Sequence, residues 1–155
     1  MRKILAFLFL FMFATQCGFT VIDTNKSAIN IKSLNTEGYN KVNFLIKNDL
    51  IRNKTDDQRS ESVSIKIRTD RTKEIAEKNI KNEITKYKIT INVKAEITYL
   101  KDSKERKFNI TKNGVYRVGE TSLKTSNNLE NLEKSLSTAI AKEIKQKIFI
   151  LNNDI

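Results

Sequence analysis

The stretch Tyr87–Tyr99, YKITINVKAEITY, alternates without a break between apolar and polar side chains. Since successive side chains of a β-strand point to opposite faces, this period of two predicts one long strand with a buried face and a solvent face. At about 3.3 Å per residue the strand is about 43 Å long. The fold is therefore expected to contain a sheet that is half buried, with polar side chains on its other face.

Further strand candidates lie on both sides of this segment. Ser62–Thr69 alternates in the same way, and Ala28–Leu34 is a shorter candidate. Residues 108–118 predict a fourth strand, with a bulge expected at Asn113–Gly114. The segment Asp70–Glu83 fits either a short helix or a long hairpin connection, and its periodicity does not decide between them.

Two segments have helical periodicity. Asn40 can cap a first helix, whose apolar stripe is Val42, Leu45, Ile46 and Leu50. Asn127 and Glu130 resemble a capping box at the start of a long second helix. Its apolar positions recur at intervals of three and four residues: Leu129, Leu132, Leu136, Ala139, Ile140, Ile144 and Ile148.

The predicted order is therefore β-α-β-β-β-α. Each helix has one apolar stripe and each strand one apolar face, so the economical arrangement is an α+β two-layer sandwich. We expect two helices packed on one face of a four-stranded mixed sheet, with a right-handed crossover between the first two strands. The other sheet face is polar, and it either meets a partner or faces water.

The N-terminus predicts export. Arg2 and Lys3 precede the apolar run Ile4–Ala14, which is shorter than the roughly 20 residues a spanning helix needs. The only cysteine, Cys17, follows this run and predicts the lipid attachment site of a bacterial lipoprotein, the alternative being an incidental cysteine. We therefore expect a signal peptide at 1–16, a lipidated tether at 17–27 and a single domain at 28–155. Gly18 stands where aspartate is the usual inner-membrane retention signal, which favours the outer membrane.

Composition restricts the available chemistry. The 155 residues include no histidine, tryptophan or proline. Zinc clusters, histidine relays and disulfide frameworks need histidines or several cysteines, which this sequence lacks. We therefore expect no catalytic activity, cofactor or metal. The adjacent Asp56 and Asp57 fit a solvated loop better than an acid–base pair, because no nucleophile or further ligand lies nearby. The formal net charge of +11 suits acidic partners, but export excludes nucleic acid.

The order of segments resembles a known family. The chain is similar to the lipopolysaccharide (LPS)-assembly lipoprotein LptE family in the order of its segments. These are Cys17-Gly18-Phe19 after the signal, the tether, the first strand and helix, the long strand beginning at Tyr87, the break near Tyr116 and the C-terminal helix. The resemblance implies an outer-membrane lipoprotein at the periplasmic face. It also implies a domain that plugs the LptD β-barrel, assists its assembly and contacts LPS during transport to the cell surface. The alternative is a lipoprotein that acts as an assembly or pilot factor for another outer-membrane complex.

Topology supplies candidates for LPS contact. If strands and helices alternate in direction, the connection after the second strand and the connection before the last helix emerge at one end of the sheet. Cations there could hold lipid A phosphates by charge-assisted hydrogen bonds. The candidates are Arg71, Lys73, Lys78, Lys81, Arg117 and Lys124. The alternative is a generally lysine-rich surface with no ligand.

Overall fold

The computed structural model describes residues 30–52 and 62–153. The expected signal peptide, the tether with Cys17, and the pair Asp56 and Asp57 lie outside the described residues. The elements in chain order are β1 Asn30–Gly38, α1 Asn40–Ile51, β2 Ser62–Lys78, β3 Ile84–Tyr99, β4 Glu105–Arg117 and α2 Ser122–Asn153.

The four strands form one sheet in the order β1-β2-β3-β4. β1 and β2 are parallel and are connected through α1, whereas β2, β3 and β4 pair antiparallel with their neighbours. The two helices pack against each other and against the sheet, and their buried side chains share one core with the strands. The predicted α+β architecture is confirmed.

The alternation in β3 explains why the core lies on one side of the sheet. The odd-numbered residues from Ile89 to Tyr99 are all buried, whereas Lys94 is exposed. Ile46 from α1 and Ile140 and Ile144 from α2 are fully buried with them. The sheet therefore has one face covered by α1 and α2 and a second face on which neither of these helices packs, which we call the open face.

The undecided segment Asp70–Glu83 continues β2 and then turns. β2 extends to Lys78, and its pairing with β3 continues from Asp70↔Asn92 to Lys78↔Ile84, through a bulge near Ile75. The side-chain oxygen of Asn79 accepts hydrogen bonds from the backbone N–H groups of Lys81 and Glu83 and so closes the turn. The hairpin interpretation is thus correct, because cross-strand pairing overrides the weak helical spacing of this segment.

Three local predictions were wrong. Asn40 is the first helical residue of α1, and the capping position before it makes no side-chain hydrogen bond to the helix. α2 begins at Ser122, five residues before Asn127. Asn113–Gly114 forms no bulge, since the β3–β4 register is continuous there. Gly114 instead allows α2 to approach, because a Cβ at this position would lie 2.6 Å from a methyl carbon of Leu132.

Candidate functional surfaces

The connections expected to lie together do so. The backbone N–H of Val118, after β4, donates to the carbonyl oxygen of Thr85 at the start of β3, at 2.9 Å. The β2–β3 turn and the segment leading into α2 therefore lie at one end of the sheet, which we call the hairpin end. The six cations proposed from the sequence nevertheless differ in what surrounds them.

Arg71 belongs to a buried ion cluster. Its Nε lies 2.8 Å from Oε1 of Glu133, whose side chain is almost wholly buried. Lys41 Nζ lies 3.3 Å from the other carboxylate oxygen, and the Tyr39 hydroxyl donates to Oε1 at 3.5 Å. The guanidinium also stacks 5.0 Å from the centroid of the Tyr39 ring. Arg71 is thus already engaged with an internal carboxylate and links β2 to both helices.

Lys73 lies over aromatic rings on the helix-covered side of the sheet. Its Nζ is 3.8 Å from the centroid of Tyr87 and 5.9 Å from that of Tyr116. The two rings stack with their centroids 5.6 Å apart. Cation–π contact of this kind positions an ammonium group while leaving hydrogen-bond donors available.

The remaining four cations are exposed at the hairpin end. Lys78 donates to the side-chain oxygen of Asn82 at 2.9 Å, and Lys124 lies 3.8 Å from the carboxylate of Glu120. Lys81 lies in the β2–β3 turn. Arg117 pairs with Lys86 across β4 and β3 and points to the open face. These four cations are accessible to an anion from solvent, in contrast to Arg71.

The hairpin end also exposes apolar side chains, which the sequence analysis did not identify as part of a site. Ile80 is fully exposed and Leu123 is 72% exposed. Ile75 and Val118 are also exposed. The available signal was that Ile75 and Ile80 are the only large apolar residues in the charged segment Asp70–Glu83. Cations and apolar groups together give this end an amphiphilic surface.

The open face carries charges of both signs. Lys66 Nζ lies 3.2 Å from Glu37, and Lys107 Nζ lies 3.4 Å from Glu96. Glu77 accepts a hydrogen bond from Lys86, and this bond lowers the pKa of the Glu77 carboxyl group. Most of the charge on this face is therefore balanced by neighbours on adjacent strands.

A depression of about 690 Å³ lies on the open face, next to the end of β1. Gly38 ends β1 with a φ of 97°, and a Cβ there would lie 1.9 Å from the carbonyl oxygen of Thr69. Only glycine permits this approach. The lining residues are Gly38, Arg68, Thr69, Asp70, Asn92 and Lys94.

Residues 30–52 and 62–153 contain neither a metal cluster nor a membrane-spanning helix. No group of three or more acidic or cysteine side chains within them could hold a metal ion. Neither α1 nor α2 has a stretch both long and apolar enough to cross a bilayer. The features found in these ranges are the two surfaces just described, the hairpin end and the open face.

Comparisons with known proteins identify structural relatives only. No family model matches the chain, and no curated protein matches its sequence. The fold is similar to that of rare lipoprotein B from Shewanella oneidensis, with a TM-score of 0.59 and 16% identity over 79% of this chain and 97% of that one. Lipoprotein B from Nitrosomonas europaea gives a TM-score of 0.53 and 15% identity over 88% of this chain and 93% of that one.

A candidate lipoprotein from Caulobacter crescentus is also similar, with a TM-score of 0.56 and 12% identity over 85% of this chain and 96% of that one. At such identities the likeness establishes a shared fold. The domain described here thus spans nearly the whole length of each relative, and each of the three is described as a lipoprotein.

Proposed function

We propose that this chain is an LptE-like outer-membrane lipoprotein, anchored through lipid on Cys17 at the periplasmic face. Its domain plugs an LptD-type β-barrel, assists the assembly of that barrel and takes part in LPS transport. The observation that carries the proposal is the fold shared with rare lipoprotein B over 97% of that protein. The role is one of binding, without catalysis.

The direction of the sheet supports a plug. β1 runs parallel to β2, and Asn30 pairs with Ser62, so the chain enters the domain beside the start of β2. The β2–β3 turn lies sixteen residues further along β2, about 50 Å away at about 3.3 Å per residue. The lipid-anchored end and the hairpin end would thus lie at opposite ends of the sheet.

This separation exceeds the ~30 Å thickness of the hydrocarbon core. The thirteen residues from Cys17 to Asn30 reach at most about 45 Å when fully extended. A domain tethered at the inner leaflet could therefore place its hairpin end at the level of the outer leaflet only by entering a lumen. A barrel offers such a lumen, with polar side chains on its inner wall.

The open face has the surface that a polar lumen requires. Its ion pairs hold lysine and glutamate side chains in place, and the apolar core residues point the other way. Contact with the wall would then depend on a large shape-matched surface more than on any single charge. Water-filled gaps between two polar surfaces would not destabilise such a contact.

The amphiphilic hairpin end suits LPS, which combines phosphates with acyl chains. Lys78, Lys81, Arg117 and Lys124 could meet phosphate oxygens through charge-assisted hydrogen bonds. Ile80 and Leu123 lie exposed beside them and could contact acyl chains.

Affinity purification tests the proposal. The tagged full-length chain is isolated from membranes of its own host in mild detergent, and the co-purified proteins are identified by mass spectrometry. We expect a large β-barrel of the LptD type in near-stoichiometric amount. An Ile91→Asp variant, which places a carboxylate in the core, serves as the control that should retain no barrel. Recovery of a different outer-membrane complex in place of LptD would refute the proposal.

A further inference from the structure

Two cations face each other on the open face, and within residues 30–52 and 62–153 neither forms an ion pair with a carboxylate. Arg68 and Lys94 are directly opposite each other in the β2–β3 register. Both side chains are exposed and both line the depression beside Gly38. Like charges at directly opposed positions of an antiparallel pair destabilise the sheet. The arrangement therefore costs the free domain stability unless an anion lies between the two groups.

The same sheet contains a second pair of opposed cations, and a carboxylate neutralises that pair. Lys86 and Arg117 are also directly opposite each other, on β3 and β4. There the carboxylate of Glu77 accepts a hydrogen bond from Lys86, and the charge of Arg117 further lowers the pKa of Glu77. One internal carboxylate thus serves two opposed cations. Among the described residues, no carboxylate forms an ion pair with either cation at the depression, although Asp70 also lines it.

Nearby carboxylates do not fill this role in the described part of the chain. Glu37 is the β1 partner of Arg68, yet its carboxylate pairs with Lys66 at 3.2 Å. Glu96 pairs with Lys107 at 3.4 Å. Asp70 lines the depression but forms no ion pair with Arg68 or Lys94 there. Space and charge at this point both suit an anion from outside the domain.

We propose that the depression binds a carboxylate side chain of the partner protein, an aspartate or glutamate on the inner wall of the barrel. This inference rests on the proposed function and identifies one anchoring contact within it. A carboxylate suits the site better than a phosphate, because Asp70 and Glu37 flank it and would repel a doubly charged group more strongly. The site is also ten residues along β2 from Lys78, about 33 Å from the amphiphilic hairpin end.

Side chains that line the depression can donate hydrogen bonds to a bound carboxylate. A carboxylate held between an arginine and a lysine makes charge-assisted hydrogen bonds, and the fork of Arg68 allows a bidentate geometry. Asn92, whose side-chain oxygen accepts from Thr111 at 2.8 Å, is held in place at the floor of the depression. The amide nitrogen of Asn92 remains available as a further donor.

The first experiment compares two matched double variants of the full-length chain. Arg68→Gln with Lys94→Gln removes the unbalanced pair. Lys86→Gln with Lys88→Gln removes two cations of the same face that lie opposite Glu77 and Glu74. We expect the first variant to retain about tenfold less barrel than the parent, which corresponds to about 1.4 kcal/mol, and the control to retain nearly as much as the parent.

Thermal melting separates binding from folding. Because the first variant relieves repulsion, it should melt at the same temperature as the parent or higher. A lower melting temperature together with lost retention would overturn the inference and indicate a structural role. If the parent retains the barrel and the first variant retains it equally well, the inference fails while the proposed function stands. If the parent retains no LptD-type barrel, both fail.

A second experiment identifies the occupant. A photo-crosslinking amino acid at Asn109, the β4 partner of Lys94, should couple to a barrel segment that contains an aspartate or glutamate. Replacing that acidic residue of the barrel by lysine should restore retention of a variant of this chain that carries Arg68→Glu and Lys94→Glu, because the two charges are then exchanged. Crosslinks to lipid alone, or to a segment without an acidic residue, would overturn the inference.

Discussion

The ion cluster around Glu133 gives the most quantitative prediction, since its geometry is fully defined. Arg71→Met keeps much of the aliphatic volume of the side chain and removes the cation that lies 2.8 Å from Glu133. Removing one partner of a buried ion pair typically costs 3–5 kcal/mol, because the other charge stays desolvated. Lys41 remains 3.3 Å away, so we expect a loss of about 3 kcal/mol, near the lower limit. For a domain of this size that corresponds to a melting temperature lower by roughly 10 °C.

Two further variants separate charge burial from packing. Glu133→Leu should cost a similar amount, about 3 kcal/mol, because it leaves Arg71, whose side chain is 17% exposed, without its carboxylate, whereas Lys41 is 45% exposed and can reach water. The double variant should lose less than the sum of the two, since a buried ion pair replaced by apolar groups is often close to neutral. Urea denaturation followed by far-ultraviolet circular dichroism measures all three free energies of unfolding.

Lys124→Met is the matched control. It removes a cation 3.8 Å from Glu120, whose side chain is 90% exposed, so the free energy of unfolding should change by less than about 0.5 kcal/mol. If Arg71→Met is as stable as this control, the buried carboxylate does not depend on Arg71 and the reasoning is refuted. A purely additive double variant would equally contradict a direct interaction between Arg71 and Glu133.

Three further predictions concern the LPS contact, the core and the anchor. Neutralising exposed cations of the hairpin end should weaken LPS binding severalfold and leave barrel retention intact. Unchanged LPS crosslinking in this variant would contradict the proposed LPS contact. The residues for this change are Lys78, Lys81 and Lys124. Ile91→Asp should lower the free energy of unfolding by more than about 4 kcal/mol and abolish the cooperative melt, whereas Lys88→Ala on the open face should not. A folded Ile91→Asp variant would refute the assignment of the two sheet faces. Mass spectrometry of the membrane form should find an acylated cysteine at Cys17, and a mature N-terminus elsewhere would exclude it.

Arg71 is left out of the LPS variant for a structural reason. Sequence reasoning grouped it with the other cations of the hairpin end, because the topology places them at the same end of the sheet. Its guanidinium is instead held by Glu133, which lies 62 residues further along the chain in α2. Changing Arg71 would destabilise the domain, so a loss of LPS contact in such a variant could not be assigned to a lost phosphate contact.

The sequence predicted most accurately where periodicity was strong. The uninterrupted alternation of Tyr87–Tyr99 placed β3 and assigned its faces, and burial alternates with that assignment from Ile89 to Tyr99. The stripes of α1 and α2 were also clear, so the order of the layers could be argued from the sequence, although Ala139 is exposed and Ala141 is buried instead. Helix starts were less accurate: Asn40 and Asn127 were chosen as caps by residue type alone, and tertiary contacts decide such positions.

Long-range pairs could not be predicted at all. No local pattern connects Arg71 with Glu133, or distinguishes the unbalanced Arg68 and Lys94 from other cations. Their meaning depends on register, and a slip of one residue in pairing would move every side chain to the other face. The same is true of Gly114, whose role is set by Leu132 on α2 and not by its own neighbours.

The part of the chain that resisted prediction is also the part that is least supported by the core. From Thr72 to Lys78, every residue of β2 is exposed on both faces. β4 lies beside this ribbon of β2 and β3 as far as Lys86, which pairs with both Glu77 and Arg117, so only Lys78 and the turn extend beyond the third strand. The stacked Tyr87 and Tyr116 rings beneath Lys73 stabilise the base of this ribbon. Ile75 and Ile80 are exposed at this end of the sheet, and they belong to the amphiphilic surface for which we propose contact with LPS.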